Sequence, residues 1–127
     1  MKKLILLTAL MLVSTVCMSQ SVEIQGVSGF RFSGVSPILD DKGESVSGYY
    51  THYIIDKGAK GMRTLEFSII NKEVSKVSQA QIELHKFATL NNTVFNGKNF
   101  LISYDDRKNK QVVFTTIDLD GNIVATN

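Results

Sequence analysis

A period-two alternation of apolar and polar side chains is the feature that most constrains the fold of this chain. Four segments show it, each rich in β-branched or aromatic residues: Val46 to Asp56, Met62 to Asn71, Asn99 to Asp105 and Val112 to Leu119. Such alternation is typical of strands with one buried face. Residues that tolerate a positive φ stand between the segments, at Asp41-Lys42-Gly43, Lys57 to Gly61, Asn96-Gly97 and Asp120-Gly121-Asn122. The pattern predicts an all-β protein of antiparallel meander sheets.

One segment, residues 74–86, fits two structures. At helical spacing, one face would hold Val74, Val77, Gln81 and Leu84. At strand spacing, one face would hold Ala80, Ile82 and Leu84. We favour a strand from about Gln79, because the segments on both sides are patterned as strands.

A weak internal repeat supports the prediction of sheets. With an offset of 49 residues, Gly48–Asp56 aligns with Gly97–Asp105, and the turn at Asn71 falls on Asp120. Each unit then reads strand, charged turn, strand, tight turn, strand. Repeats of roughly 40–50 residues are typical of propeller blades. We therefore expect two blade-like repeats, at about residues 31–86 and 89–126, with a small β-sandwich as the alternative.

Two stretches carry a resemblance to a known group of proteins. They are GYYTHYIIDKGAKGM (residues 48–62) and FNGKNFLISYDDRKNKQVVFTTIDLDGNIV (residues 95–124). Together they resemble the N-terminal part of uncharacterised secreted bacterial proteins with propeller-like β repeats, whose members are usually much longer. The shared motifs, NG-x-x-FL and DLDGN, are turn and strand motifs. The resemblance therefore implies a fold and an exported location, and it transfers no catalytic residue.

The first twenty residues have the layout of a secretory signal peptide. Lys2 and Lys3 precede an apolar run from Leu4 to Val13, and small and polar residues follow. The run is shorter than the roughly 20 residues that a membrane-spanning helix needs. We therefore expect an exported protein without a membrane span, located in the periplasm, at the outer surface or outside the cell.

The cleavage site is predicted between Ser19 and Gln20. Small side chains at Cys17 and Ser19 fit the peptidase's requirements. Lipidation of Cys17 ranks second, because a lipoprotein motif needs a small residue where Val16 stands. Residues 1–19 are thus the predicted leader, and residues 20–127 the predicted single all-β domain.

The charge of the chain gives no indication of nucleic-acid binding. The full sequence has 14 Lys and Arg residues against 12 Asp and Glu residues, and removal of Lys2 and Lys3 with the leader makes the counts equal. The densest basic patch, Arg107 to Lys110, adjoins Asp105 and Asp106, as in a charged hairpin turn. A chain with this balance lacks the electrostatic footprint of a nucleic-acid partner.

The polar clusters fit structural roles better than catalytic ones. Carboxylates group at Asp40, Asp41 and Glu44, and again at Asp105 and Asp106, beside Lys or Gly at turn positions. Asp118, Asp120 and Asn122 begin like a calcium loop but lack its glycine at position six and its later glutamate. His52 and His85, the two histidines, have no partner at metal-ligand spacing.

These observations predict a protein that is not an enzyme. The sequence has no G-x-S-x-G motif and no phosphate loop, so we expect no catalytic residue, cofactor or metal. The expected function is that of an exported, non-catalytic β-repeat module for binding or assembly, and the sequence leaves open whether it is a truncated piece of a longer propeller protein. The alternative is an accessory or remnant domain of a carbohydrate-active enzyme, in which carboxylates meet tyrosines in a cleft.

The partner prediction follows from the strand alternation. Buried positions are expected at Leu65, Phe67, Ile69, Phe100, Ile102, Tyr104 and Phe114. Tyr50, Ile54 and Leu101 lie opposite the better-buried alternation of their own strands, and they are the candidate partner surface. Two blades would leave broad apolar faces uncovered. We therefore expect a protein partner or self-association, with a glycan as the other candidate ligand.

Overall fold

The computed structural model describes Ser21, Glu23, residues 32–55 and residues 61–127. The predicted leader, residues 1–19, lies outside the described residues. The described part contains eight strands and no helix. The strands are β1 (Phe32–Leu39), β2 (Val46–Ile55), β3 (Met62–Asn71), β4 (Val77–His85), β5 (Thr89–Phe95), β6 (Asn99–Asp106), β7 (Gln111–Asp118) and β8 (Ile123–Thr126).

The strands form two antiparallel meander sheets of four strands each. The first sheet has the order β1-β2-β3-β4, and the second has the order β5-β6-β7-β8. This architecture confirms the prediction of an all-β protein of antiparallel meander sheets, and it is compatible with both blade-like repeats and a small β-sandwich. The ambiguous segment forms strand β4 because Ala80, Ile82 and Leu84 alternate into the core. Val74 has a φ of +52°, which belongs to a turn and not to a helix.

Asx side chains close the two turns that follow the third strand of each sheet. The Asn71 Oδ1 atom accepts hydrogen bonds from the backbone N–H groups of Ser75 (2.8 Å) and Lys76 (2.9 Å). The Asp118 Oδ1 atom accepts from the N–H groups of Asp120 (3.0 Å) and Asn122 (2.8 Å). Such local bonds compete with a continued strand and fix a turn instead.

The two sheets pack face to face around one apolar core. The first sheet contributes side chains from β1, β3 and β4, and the second contributes side chains from β6 and β7: Ile38, Leu65, Phe67, Ile69, Ala80, Ile82, Leu84, Phe100, Ile102, Tyr104, Val113 and Ile117. The rings of Phe67 and Phe100 meet across the interface with centroids 4.9 Å apart. Burial of each large side chain contributes roughly 1.5–3 kcal/mol, so this interface supplies much of the stability.

The 49-residue repeat is present in the hydrogen-bond register of the sheets. A shift of 49 maps the β2–β3 pair Tyr53↔Glu66 onto the β6–β7 pair Ile102↔Thr115. It also maps Ile54↔Leu65 onto Ser103↔Phe114. The central hairpins of the two sheets therefore have the same register.

The two sheets also present their strands in the same order. A Cβ atom at Gly97, in the β5–β6 turn, would lie 3.3 Å from Oδ1 of Asp41 in the β1–β2 turn. A Cβ atom at Gly121, in the β7–β8 turn, would lie 2.7 Å from the backbone oxygen of Gln79 in β4. The beginning of the second sheet thus lies beside the beginning of the first, and its end lies beside β4.

Six of the seven expected core residues are buried, whereas the prediction for Phe114 is wrong. Phe114 is 44% exposed. In β7 the side chains that face the first sheet are Val113, Thr115 and Ile117, which are 8%, 0% and 0% exposed. The register of β7 on β6 puts Phe114 opposite Ser103, on the other face. The buried alternation of β7 is therefore one residue out of phase with the prediction.

Candidate functional site

Four apolar side chains lie exposed on one face of the second sheet. They are Val94, Leu101, Val112 and Phe114, which are 51%, 42%, 51% and 44% exposed. The pairing of Val94 with Leu101 places β5 and β6 side chains together, and β7 continues the face with Phe114 and Val112. We call this face, which is turned away from the first sheet, the second outer face. Such clustered exposure is typical of a partner surface.

The structure separates the three residues of the candidate partner surface. Leu101 lies on the second outer face. Tyr50 and Ile54 are half-buried and pack against the core between the sheets. The Tyr50 ring stacks on Phe67 at 5.6 Å and contacts Phe100 at 5.1 Å. The second sheet covers the face of β2 that carries Tyr50 and Ile54, so only Leu101 shares a surface with other exposed apolar residues.

A polar network occupies the opposite face of the first sheet, which we call the first outer face. Tyr53 is fully buried and Glu66 is 7% exposed. The Tyr53 hydroxyl donates to Glu66 Oε1, and the Nε2 groups of Gln79 and Gln81 donate to Glu66 Oε1 (2.8 Å) and Oε2 (2.9 Å). Burial, followed by the hydrogen bond to Glu66, raises the pKa of Tyr53 to about 12. The network satisfies a buried carboxylate and ties β2, β3 and β4 together.

The sequence prediction missed this network. Glu66 stands at a polar position in the alternation of β3, between Leu65 and Phe67, which suggested a solvated face. In the structure every residue from Thr64 to Ile70 is buried, so β3 is covered on both faces, which the period-two alternation did not indicate. A central strand covered on both faces has short polar or paired side chains on its less apolar face.

Carboxylates and a tyrosine meet in a cleft of about 750 Å³ between the β1–β2 turn and the end of β5. Asp40, Asp41, Tyr50 and Phe95 are among the residues that line it. Gly97 allows Asp41 to approach the β5–β6 turn closely. The cleft thus combines two aromatic side chains with two acidic groups.

The Asp40 carboxylate accepts hydrogen bonds from residues of the β1–β2 turn. Its Oδ1 atom accepts from the Glu44 N–H group (2.9 Å), and its Oδ2 atom accepts from the Ser45 hydroxyl (2.7 Å). These bonds, with the one from Ser45 foremost, lower the pKa of Asp40 below its usual 3.8. Asp40 is therefore a poor proton donor at neutral pH. General acid catalysis needs a carboxyl whose pKa lies near the working pH.

A second cavity, of about 420 Å³, lies at the other end of the sheets. His52, Arg63, Lys86 and Phe87 are among its lining residues, and no carboxylate of the described part lines it. Burial lowers the pKa of His52 below 6.5, so its imidazole is neutral at neutral pH. Its Nδ1 atom has no hydrogen-bond partner among the described residues. The Lys86 ammonium lies 4.9 Å from the ring centroid of exposed Phe87.

The remaining polar motifs belong to turns. Asp118 accepts three hydrogen bonds from Asp120 and Asn122, including one from the Asn122 side-chain amide (3.0 Å). Within the described ranges, no group of three or more His, Cys, Asp or Glu side chains could hold a metal ion. His85 is half-buried, and its ring lies 5.4 Å from that of Phe87.

Among the described residues, no helix has the length and apolar character needed to cross a bilayer.

The fold and its faces define an all-β protein built from two similarly oriented four-stranded sheets. The chain belongs to the DUF6770 family, because the model of that family, described as a family of unknown function, matches residues 1–127. No curated protein and no solved structure matches the chain. The surfaces of the molecule are therefore the basis for any functional assignment.

Proposed function

We propose that this chain is an exported, non-catalytic β-repeat module that binds or assembles with another protein. The second outer face is the observation that carries the proposal. Leu101 and Phe114 are each more than 40% exposed at the centre of a strand, where the opposite side of the same strands forms the core. Large apolar side chains grouped on one face lower their free energy when a partner removes them from water.

Export rests on the N-terminal sequence. The basic start, the apolar run and the small residues before Gln20 support cleavage by a signal peptidase. The mature chain would then begin at Gln20 and act in the periplasm, at the outer surface or outside the cell. The intact mass of the exported protein tests this. A mass that begins at Gln20 is expected, and a diacylglyceryl adduct on Cys17 would contradict it.

Binding through the second outer face is tested by site-specific photocrosslinking in the exporting cell. A benzophenone side chain is placed at Leu101 or at Phe114, and the same probe at Lys108 serves as the matched control. Lys108 is exposed and lies in the β6–β7 turn of the same sheet. Both face positions should give one common adduct mass that the turn position does not give.

Crosslinking that is equal at all three positions, or absent from all three, would overturn the binding proposal. The adduct mass also identifies the kind of assembly. An adduct of twice the chain mass indicates self-association, and any other discrete mass indicates a different partner. A propeller-like assembly, to which this chain would contribute two blades, is the larger architecture that we propose for it.

A second candidate function is an accessory or remnant domain of a carbohydrate-active enzyme. The cleft that joins Asp40, Asp41 and Tyr50 favours it, because a tyrosine can stack on a sugar ring while carboxylates bind hydroxyl groups. Hydrolysis by two carboxylates would need one of them to stay protonated, and the hydrogen bonds to Asp40 oppose this. Glycan binding without hydrolysis is therefore the form of this candidate that the site supports.

A glycan array beside a panel of glycosidase substrates separates the two candidates. If the second candidate holds, binding should disappear in Asp41→Asn and Tyr50→Ala, and it should persist in Leu101→Ser. Because Tyr50 also packs on Phe67, the Tyr50→Ala protein must first show a cooperative melt. An absence of signal from the whole array excludes this candidate.

A further inference from the structure

Equivalent faces of the two sheets point in the same direction. A shift of 49 residues maps Tyr53, on the first outer face, onto Ile102, which faces the first sheet. The same shift maps Leu65, in the core, onto Phe114, on the second outer face. The sheets therefore stack head to tail and not as mirror-like halves of a sandwich.

This stacking gives the second outer face a structural counterpart within the molecule. Its counterpart is the face of the first sheet that carries Leu65 and Phe67, and the second sheet covers that face almost completely. Leu65 is 1% exposed, whereas its equivalent Phe114 is 44% exposed. The topologically equivalent face is thus covered once and left open once, although the same shift maps Phe67 onto Thr116 and Ile54 onto Ser103.

We propose that the second outer face binds a further four-stranded antiparallel sheet, supplied by a partner protein, in the orientation in which the second sheet binds the first. This inference rests on the proposed binding function and names the partner's structural class. A head-to-tail interface repeats along a stack or closes into a ring where the added sheet presents an open face of its own.

The chemistry of the partner follows from the side chains that cover the counterpart face. Phe100, Ile102 and Ile117 are each 0% exposed there, and the Phe100 ring lies against Phe67. The partner sheet should carry aromatic and β-branched side chains against Leu101, Val112 and Phe114, and polar side chains against Ser103 and Thr116. Its glycines or short side chains should lie at the turns, where Gly97 and Gly121 allow close approach in this molecule.

A second copy of this chain is a poorer occupant than a different protein. In a head-to-tail dimer, the partner copy would have to offer its first outer face. Thr51, Tyr53 and Ser68 at the centre of that face are each 0% exposed, and exposed Gln79 and Gln81 at its β4 side are polar. The first outer face therefore offers a second copy little accessible apolar surface.

An extended chain tests whether the second outer face accepts a sheet. A second copy of residues 86–127 is added after Asn127, so that the β4–β5 connection is reproduced. The original Phe114 is replaced by cysteine, Cys17 is replaced by serine, and the rate of thiol labelling is measured with and without the extension. The extension should slow labelling at least tenfold, because the position would become equivalent to buried Leu65.

Two controls define the result. Labelling of Lys108→Cys should keep its rate in the extended chain, because the β6–β7 turn stays exposed. Ile102→Ser with Ile117→Ser in the added copy alone should restore fast labelling at position 114. Far-ultraviolet circular dichroism reports whether the added segment folds.

Three outcomes overturn the inference. One is an added sheet that folds but leaves labelling at its original rate. Another is an added segment that stays unfolded. The second sheet folds against the equivalent face of the first sheet, so an identical segment should also fold against the second outer face. The third is slow labelling in the unextended chain at high concentration, which would make a second copy the occupant. If photocrosslinking succeeds while the extension fails, the binding function stands and only the partner's class is wrong.

Discussion

The Tyr53 hydroxyl donates a hydrogen bond to Glu66 Oε1 between neighbouring positions of β2 and β3. Neither side chain is open to water, since Tyr53 is 0% exposed and Glu66 is 7% exposed. Gln79 and Gln81 of β4 supply the other donors to the carboxylate. The Glu66 side chain of β3 therefore links β2 and β4 through hydrogen bonds. Removal of one donor leaves a buried Glu66 oxygen with one hydrogen bond fewer.

Tyr53→Phe should lower the free energy of unfolding by about 1–3 kcal/mol, because it removes a donor from a buried acceptor while it keeps the ring. Urea denaturation measures the change as a lower midpoint with an unchanged slope. Tyr49→Phe is the matched control on the same strand. Tyr49 is half-buried and makes no side-chain hydrogen bond within the described ranges, so its change should stay within about 0.5 kcal/mol. Equal losses in the two variants would contradict the role of the Tyr53–Glu66 bond.

Alkaline pH should destabilise the protein through Tyr53. Burial and the bond to Glu66 raise the pKa of Tyr53 from 10.0 to about 12, so the folded state favours the neutral phenol. A raised folded pKa gives stability that is fully present below pH 10 and is lost as the pH rises toward 12. Urea midpoints at pH 8 to 11.5 should therefore fall for the natural chain and fall less for Tyr53→Phe. A parallel decline in both proteins would show that other groups cause the alkaline loss.

The two faces of the second sheet should respond differently to the loss of an aromatic ring. Phe100→Ala removes a ring that packs on Phe67 and Phe95 in the core, and it should cost about 3–5 kcal/mol. Phe114→Ala acts on the exposed face and should change stability by no more than about 0.5 kcal/mol. Thermal or urea unfolding compares them directly. A large loss from Phe114→Ala would mean that this face is already covered in the isolated chain.

Strand alternation was sufficient to predict the sheets, because the period of two and the turn residues are local properties of the chain. The 49-residue offset even matched the register of both central hairpins, as the pairs Tyr53↔Glu66 and Ile102↔Thr115 show. In β4, the alternation of Ala80, Ile82 and Leu84 outweighed the helical spacing of the same segment.

The faces could not be predicted so well, because the face that a strand buries depends on what packs against it. The residues of β2 alternate with apolar or aromatic side chains on both sides, so Tyr50 and Tyr53 were equivalent in the sequence. Packing distinguishes them: Tyr50 lies against Phe100 of the second sheet, and Tyr53 lies on the first outer face. In β7, apolar residues occur on both alternating faces, with Val112 and Phe114 on one and Val113 and Ile117 on the other. The sequence therefore did not show which face is buried, and the prediction of a buried Phe114 is wrong.

The close contact between the sheets at Gly121 gives a last prediction. Gly121 has a φ of +86°, and an added Cβ atom would lie 2.7 Å from the backbone oxygen of Gln79. Gly43 has a φ of +70° with no atom within 4 Å of such a Cβ atom. Gly43→Ala would therefore introduce backbone strain without a steric clash. Gly43→Ala should cost about 1–2 kcal/mol, and Gly121→Ala about 1–3 kcal/mol more, because β4 or the turn must move. Urea unfolding of both variants measures the difference. Equal losses would mean that the β7–β8 turn does not press on β4, and the order in which the two sheets overlie each other would then be wrong.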